Sequence, residues 1–442
     1  MSLPSLPSWI PFSIGFGMLH VFIVSAQTLS KLRTDSRIRV DRTLLRALGL
    51  GLSLRVVAAF LIPALLFAVQ DAPFLDPNGA SDDWAYHREA VNVMQGWLQG
   101  TPYEIPHILS AYTGYIYFCA FLYYVFWPST IVARLGNAVV GTILIVHVYK
   151  IARHYGSEKT ASRAAILTAV FPNLVIFSSL QYRDTIIAFI VVFGVWTLIR
   201  IVHHSRWEYL PGFVFCLFAM SHLRSQFMYG LILVAVLYFV LSLFNRGVLP
   251  MPSSEAAVIA LSLAVVATGV VFVSVLDVDV FQFDRFAEFR SSSIQKFGLP
   301  PAAEQVMTHP LMILVELVMI VILPIPTFVL GDFALLSLLT TPGRVVWFLL
   351  LPFAAYGLYG LLAEDFIDSF PLYAFTGGTI LGMFVMFELF GLRKLVAIMP
   401  FFIIFASLGL ERSDRSDSWY HLYLLAIATV ILGYNLFRAW VL

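Results

Sequence analysis

Long apolar stretches recur along the whole chain, and they constrain its fold more than any other feature. Segments long enough to cross a bilayer follow one another from the amino end to the carboxyl end of the 442 residues. The bilayer core requires about 20 apolar residues per helix, and a helix with its connection takes roughly 30. The sequence therefore predicts an all-α polytopic membrane protein with about 12 to 14 transmembrane helices.

Charged residues are scarce and nearly balanced in sign. They make up 12% of the chain, with 27 Lys and Arg against 26 Asp and Glu, whereas soluble domains carry about 25% charged residues. This balance argues against a nucleic-acid partner. Membrane lipids are expected to surround the protein, and the loops that hold the charges indicate which side of the membrane each loop faces.

The distribution of basic residues predicts the sidedness of the early loops. The segment 31–46 holds six basic residues against two aspartates, whereas the loop 70–108 holds six acids and one arginine. Because Lys and Arg concentrate in cytoplasmic loops, the first segment is predicted inside and the second outside. The tyrosine-rich segment 112–127 is predicted to lie in the outer interface, since only an odd number of crossings fits before the next basic cluster.

This sidedness divides the chain into three regions. Residues 1–44 are predicted to form an extra amino-terminal span and a basic cytoplasmic loop. Residues 45–250 are predicted to form the transmembrane core, with a catalytic loop at 70–108. Residues 251–442 are predicted to form a second transmembrane region with a polar outer loop at 277–309.

Two adjacent carboxylates, Asp82 and Asp83, stand in the outer acidic loop and are followed by Tyr86 and His87, which are candidate substrate-binding residues. Neighbouring carboxylates in a poorly solvated place need a cation or a donor nearby, so one is a candidate general base and the pair a candidate metal site. The alternative is purely structural: a Ser-Asp-Asp sequence at a helix start stabilises the helix dipole whether or not it takes part in catalysis.

Further charged residues are predicted on the same outer face. Arg183 and Asp184 stand at a helix boundary, where they are either paired with each other or simple interfacial anchors. Basic groups suited to a phosphate-bearing lipid head are also predicted there. These are His222, Arg224, Arg285, Arg290 and Lys296. The pair His203 and His204 lies at the opposite side among arginines, which argues against a ligand role.

Three motifs together resemble a known superfamily. Asp82-Asp83-x-x-Tyr86 follows an early span, R-L-x-N occupies Arg134–Asn137, and FP-x5-SS-x4-D ends at Asp184. This pattern resembles the GT-C superfamily of integral-membrane glycosyltransferases, and most of all the bacterial relatives of protein O-mannosyltransferases and aminoarabinose transferases. The likeness covers roughly residues 69–224, and LRK-x5-P at 392–400 is similar to the family's late basic helix.

The resemblance implies transfer of a sugar from a polyprenyl-phosphate donor, with inversion, outside a bacterial inner membrane. It implies Asp82 as the base, with Asp83 as the alternative, and Asp184 as the second acidic site. The donor phosphate is implied to be held by Arg224, by Arg290 or by Arg393 and Lys394. Asp82 and Asp184 are the candidate ligands for a divalent cation, Mg²⁺ or Mn²⁺, although a lone Asp stands where oligosaccharyltransferases have D-x-D. A glycan, a lipid or a protein remains open as acceptor.

Two other functions are compatible with the sequence. A polysaccharide polymerase or O-antigen ligase would also use polyprenyl-linked glycans, with arginines and a late outer loop as its main determinants. A transporter or lipid flippase would need charges at the bilayer midplane and broken helices in repeated halves. No internal repeat is evident in the chain.

Overall fold

The computed structural model describes residues 42–71, 73–75, 81–246, 334–385, 395–413, 420–421 and 423–429. Within these ranges the regular structure is helical and contains no strand, which confirms the predicted all-α class. Most of the predicted span at 1–44 and the outer loop 277–309 lie outside the described residues. The same holds for five predicted phosphate-binding residues: Arg285, Arg290, Lys296, Arg393 and Lys394.

The described helices follow one another with short connections. In chain order they are α1 (Arg42–Gln70), α2 (Asp82–Gln99), α3 (Thr113–Val125), α4 (Thr130–Tyr155), α5 (Glu158–Val170), α6 (Pro172–Ser179), α7 (Asp184–Val202), α8 (Leu210–Leu223), α9 (Ser225–Asn245), α10 (Ala334–Glu364), α11 (Phe370–Val385) and α12 (Met399–Arg412). Short 3₁₀ turns at His107–Tyr112 and Trp207–Tyr209 precede α3 and α8.

Five of the described helices are long and apolar enough to cross a membrane, and the bent pair α5–α6 adds a sixth if it forms one span. These helices confirm a polytopic membrane protein. Helix α3 has 13 residues, or about 20 Å against a hydrocarbon core of about 30 Å. Its length agrees with the predicted interfacial role. Helix α8 is also short, since its 14 residues reach only about 21 Å.

The apolar stretch 158–179 forms two helices with a break between them. Helices α5 and α6 meet at a 49° bend. Pro172 opens α6, and Phe171 before it is extended, with φ −60° and ψ 116°. Proline lacks an amide hydrogen and disfavours helical backbone in the residue before it, so the helix must stop and restart there.

A buried arginine donates hydrogen bonds to the last carbonyls of α5 at this break. Arg55 of α1 is 0% exposed. Its Nη1 donates to the carbonyl of Ala169 at 3.1 Å, and its Nη2 donates to the carbonyl of Thr168 at 3.1 Å. Carbonyls in the last turn of a helix have no partner within the helix, and a cation at that end also complements the helix dipole. Arg55 thereby joins α1 to the broken span.

Replacing this guanidinium should destabilise the whole described core. We expect Arg55→Leu to lower the melting temperature in detergent, since the carbonyls of Thr168 and Ala169 lose their donors at a cost of about 1–3 kcal/mol. Arg46→Leu is the matched control, because Arg46 lies on the same helix and is exposed. Thermal unfolding followed by circular dichroism compares the two. Equal melting temperatures for the two variants would contradict this role of Arg55.

Helix α4 stands at the centre of the described core and contacts α1, α3, α5, α6, α7, and α12. Close approach depends on small residues: a Cβ added at Gly141 would lie 2.8 Å from the Cβ of Ser178 on α6. Small residues at such positions are typical of helix packing in membranes. A side chain on α4 can therefore reach both the segment before α2 and the turn before α7.

Candidate functional site

Arg134 and Asn137 of the R-L-x-N motif lie one turn apart on α4. Each donates hydrogen bonds to a different segment, Arg134 to the one before α2 and Asn137 to the one before α7. Arg134 Nη2 donates to the carbonyl of Pro73 at 2.6 Å, in the segment that leads to α2. Asn137 Nδ2 donates to the carbonyls of Leu180 and Tyr182 at 2.7 and 2.8 Å, in the turn that leads to α7. Because residues three apart share one helix face, a single face of α4 positions both acidic segments.

Asp83 is enclosed by donors at the start of α2. It is 0% exposed, and its Oδ2 accepts from the backbone amide of Leu75 at 3.2 Å while its Oδ1 accepts from that of Trp84 at 3.0 Å. Burial raises the pKa of the Asp83 carboxyl, and the Leu75 amide and the charge of Arg134 oppose that rise. The carboxylate of Asp83 thus anchors the segment before α2.

Asp82 is the more accessible member of the pair. The buried face of α2 carries Asp83, Tyr86 and Ala90, spaced at helical intervals, and Asp82 lies at the edge of that face, partly exposed. Ser81 occupies the N-cap position without a side-chain capping bond. The two carboxylates in the first turn still complement the helix dipole, so the structural interpretation of the motif holds for Asp83 and leaves a further role open for Asp82.

A hydrogen-bond chain links α2 to the turn before Asp184. His87 Nδ1 lies 2.8 Å from Tyr123 Oη, and Gln181 Nε2 donates to the same hydroxyl at 3.0 Å. Burial lowers the pKa of His87, and Arg134 lowers it further, so the imidazole is neutral at neutral pH. The sequence does not single out Tyr123 or Gln181; only the position of Gln181 inside the FP-x5-SS-x4-D motif marks it.

Arg183, Asp184 and Arg224 form a charged cluster at the amino end of α7. Asp184 is 4% exposed and begins the helix, where the dipole favours a carboxylate. Arg183 donates through Nη1 to the carbonyl of Leu223, and its guanidinium lies 4.1 Å from the ring centroid of Tyr112. Burial lowers the pKa of Arg183; Asp184 opposes that shift and Arg224 adds to it.

Arg224 stands at the break between α8 and α9. Its backbone is extended, with φ −166° and ψ 93°, and its guanidinium carbon lies 5.3 Å from the ring centroid of Phe227. Leu223 immediately precedes Arg224, so the bond from Arg183 to the carbonyl of Leu223 restrains the backbone at Arg224. Of the predicted basic set, the structure brings Arg183 and Arg224 together beside Asp184.

His222 marks the edge of an apolar groove between α3, α7 and α8. Its Nδ1 lies 2.8 Å from Ser221 Oγ and 3.1 Å from the carbonyl of Phe218. A Cβ added at Gly114 would lie 2.9 Å from the backbone oxygen of His222, so only glycine allows α3 to approach so closely. The groove is lined by Gly114, Phe118, Ile190, Phe215, Phe218 and His222.

A second buried carboxylate on α2, Glu89, was not among the predicted site residues. It is 1% exposed; its Oε2 accepts from Tyr103 Oη at 2.6 Å and its Oε1 accepts from Arg88 Nε at 2.9 Å. The bond from Tyr103 ties α2 to the loop 101–106 that follows it. Its spacing of three residues from Tyr86 and four from Val93, both buried on α2, is the one sequence signal that could have indicated it.

The hydrogen bonds from Asn137 to the carbonyls of Leu180 and Tyr182 can be tested with a substitution that changes very few atoms. Asn137→Asp replaces the donating amide by an oxygen that faces the carbonyls of Leu180 and Tyr182. We expect a lower melting temperature and a loss of the turn's order, because two buried acceptors lose their donor at about 1–3 kcal/mol each. Thr142→Val on the same helix is the control, since Thr142 Oγ1 bonds only within the helix. An Asn137→Asp protein as stable as wild type would show that these two hydrogen bonds contribute little to stability.

Residues 113–272 match the family model described as dolichyl-phosphate-mannose-protein mannosyltransferase. The matched segment includes Asn137, Asp184 and Arg224, whereas the acidic motif at Asp82 precedes it. The resemblance to the GT-C superfamily is thereby confirmed. Among curated proteins, none matches the chain.

Two solved structures of the Archaeoglobus fulgidus oligosaccharyltransferase are similar to this chain. The apo form is 17% identical with a TM-score of 0.42, over 88% of this chain and 54% of that protein. The oligosaccharyltransferase AglB in complex with an inhibitory peptide and a dolichol-phosphate is 15% identical with a TM-score of 0.43, over 87% of this chain and 55% of that protein. The chain thus spans about half the length of these proteins.

Proposed function

We propose that the chain is a membrane glycosyltransferase that takes a sugar from a polyprenyl-phosphate-linked donor and joins it, with inversion, to an acceptor hydroxyl. One observation carries the proposal: Arg134 and Asn137 on one turn of α4 hold both the segment before Asp82 and the turn before Asp184. An accessible carboxylate is thereby fixed relative to a cluster of arginines and a second carboxylate. The match to the mannosyltransferase family supports the same reaction class.

Asp82 is proposed as the general base. A base must come within hydrogen-bond reach of the hydroxyl whose proton it takes, and Asp82 is partly exposed whereas Asp83 is fully enclosed. The Asp82 carboxylate takes the acceptor's proton as the acceptor oxygen forms its bond to the anomeric carbon. That proton then passes from the carboxyl group to water. Attack from the side opposite the phosphate inverts the anomeric centre.

Arg224 is proposed to stabilise the leaving group. As the bond between the anomeric carbon and the phosphate oxygen breaks, its electron pair stays on the phosphate oxygen, and the departing polyprenyl phosphate gains negative charge. A guanidinium binds phosphate in a bidentate manner and stabilises that charge if it is fixed in advance. The bond from Arg183 to the carbonyl of Leu223 supplies such fixation. Arg290, Arg393 and Lys394 remain predicted contributors to the same phosphate site.

The groove at His222 is proposed to receive the donor's polyprenyl chain. Its lining from Phe118, Ile190, Phe215 and Phe218 is apolar and suits contact with one isoprene unit of such a chain. The acidic loop and the arginine cluster are proposed to face the periplasm or cell exterior of a bacterial inner membrane. The basic segment before α1 supports this orientation.

The donor set at the site is compatible with a divalent cation. Carboxylates are the ligands that Mg²⁺ and Mn²⁺ prefer, and Mg²⁺ often needs only one or two of them beside a substrate phosphate. Asp82 and Asp184 are the residues that would hold such an ion, which would supply positive charge near the phosphate. A glycan, a lipid or a protein is the proposed class of acceptor.

Mass spectrometry of the lipid that copurifies with the protein tests the proposed donor. We expect polyprenyl phosphate or its glycosylated form in protein extracted with mild detergent. The same preparation, supplied with a panel of polyprenyl-phosphate sugars, should release polyprenyl phosphate and form a glycosidic product. Movement of the lipid across liposomes without any glycosidic product would support a flippase and contradict the proposal.

A further inference from the structure

Three histidines converge at the end of α7 that lies farthest from Asp184. Helix α7 has 19 residues, so its two ends are separated by about 28 Å along the axis. His203 and His204 follow directly after it, and His154 is the next-to-last residue of α4. This cluster is therefore separate from the proposed active site, at the other end of the same helix.

The imidazoles lie close enough to share one ion. Each of the three histidines offers a ring nitrogen, and these nitrogens lie within 4.8 Å of one another. The ring centroid of His154 lies 5.1 Å from that of His203 and 5.3 Å from that of His204. In the sequence, the neighbouring arginines argue against a ligand role for the His203–His204 pair, but the fold brings His154 of α4 beside it.

A carboxylate fixes the orientation of one ring. Asp368, in the turn between α10 and α11, has its Oδ1 3.2 Å from His203 Nδ1. A carboxylate that accepts from Nδ1–H leaves the lone pair on Nε2, and metal-binding histidines are commonly oriented in this way. The turn itself is held beside α4, since Tyr155 Oη donates to the backbone carbonyl of Asp368 at 2.6 Å.

Two arginines, Arg200 and Arg206, stand near the cluster, and both have partners of their own. Arg200 lies 5.4 Å from the ring of Trp196 and 5.6 Å from that of Tyr209, and Arg206 lies 3.6 Å from Glu208.

We propose that His154, His203 and His204 bind a divalent transition-metal ion, for which Zn²⁺ is the best match, and that Asp368 orients His203. Tetrahedral zinc holds nitrogens at about 2.0–2.1 Å, which places them about 3.3 Å apart. The exposed imidazole of His204 can rotate to close the present spacing. The ion would tie the ends of α4 and α7 to the turn before α11, and this proposal does not depend on the proposed enzymatic function.

Cobalt is the probe for the test, because tetrahedral Co²⁺ absorbs visible light whereas Zn²⁺ does not. Tag-free, full-length protein in detergent is stripped with a chelator and titrated with Co²⁺ and then with Zn²⁺. We expect one Co²⁺ per chain with a tetrahedral spectrum that Zn²⁺ abolishes, and a higher melting temperature in the presence of Zn²⁺.

Three variants make the test specific. His204→Ala removes a ligand from an exposed turn and should abolish the cobalt spectrum, whereas His421→Ala, at another exposed histidine, should leave it unchanged. Asp368→Asn should weaken Zn²⁺ binding by about 10- to 100-fold, as is usual for an orienting carboxylate. Wild-type protein that binds no Co²⁺, or a His204→Ala protein that keeps the wild-type spectrum, would overturn the proposal.

Discussion

Asp82→Asn should lower kcat for sugar transfer by about 10²- to 10⁴-fold, the usual contribution of a general base. The donor KM should change little, because the carboxylate acts on the acceptor's proton as the bond forms and not on the bound donor. Asparagine has nearly the shape of aspartate but cannot take a proton. Steady-state kinetics of the purified, reconstituted protein would measure the effect.

The neighbouring Asp83→Asn is the matched control. Asp83 is fully enclosed and accepts from the amides of Leu75 and Trp84, and asparagine can still accept through its one carbonyl oxygen. We expect this variant to retain most of its kcat and to show its main effect on thermal stability. The reverse outcome, an active Asp82→Asn and an inactive Asp83→Asn, would assign the base to Asp83.

Arg224→Met should lower kcat/KM for the donor by about 10- to 100-fold. A hydrogen bond to a charged group contributes about 1.5–3 kcal/mol, and each 1.4 kcal/mol corresponds to a factor of ten. Arg224→Lys should recover only part of the loss, because an ammonium group binds phosphate as a point charge without the bidentate geometry of a guanidinium. Initial rates at varied donor concentration would separate kcat from KM.

Arg183→Met distinguishes a phosphate ligand from a positioning residue. Arg183 donates to the carbonyl of Leu223 and stacks on Tyr112, so its loss should lower the melting temperature as well as the rate. Arg224→Met should leave the melting temperature near that of wild type. If Arg224→Met kept wild-type kcat and KM, the donor phosphate would have to bind elsewhere, for example at the predicted Arg290.

The helical membrane class could be predicted because it depends on local composition. A run of apolar residues needs no knowledge of distant partners to indicate a span. The R-L-x-N and FP-x5-SS-x4-D motifs lie within the segment that matches the mannosyltransferase family model. The motifs could not indicate which groups each residue contacts, because Arg134 and Asn137 donate hydrogen bonds to backbone carbonyls far away in sequence.

The bend between α5 and α6 was missed because hydropathy is continuous across it. Pro172 was its one local signal, and a proline within an apolar run does not say whether a span kinks or stops. Arg55 was missed for a related reason. Its partners are the carbonyls of Thr168 and Ala169, and a buried arginine in an apolar helix gives no local indication of where its acceptors lie.

The side-chain networks were missed because each joins three separate elements. His87, Tyr123 and Gln181 come from α2, α3 and the turn before α7. Taken singly, each residue fits an interfacial helix or a loop. The same holds for His154, which lies in a basic helix end and gains a possible ligand role only beside His203 and His204.

The anomeric configuration of the transferred sugar tests the proposed single displacement most directly. NMR of the product formed by the purified protein should show the configuration opposite to that of the donor, because the acceptor oxygen attacks from the side away from the phosphate. Retained configuration would contradict direct attack assisted by Asp82, since it requires two displacements.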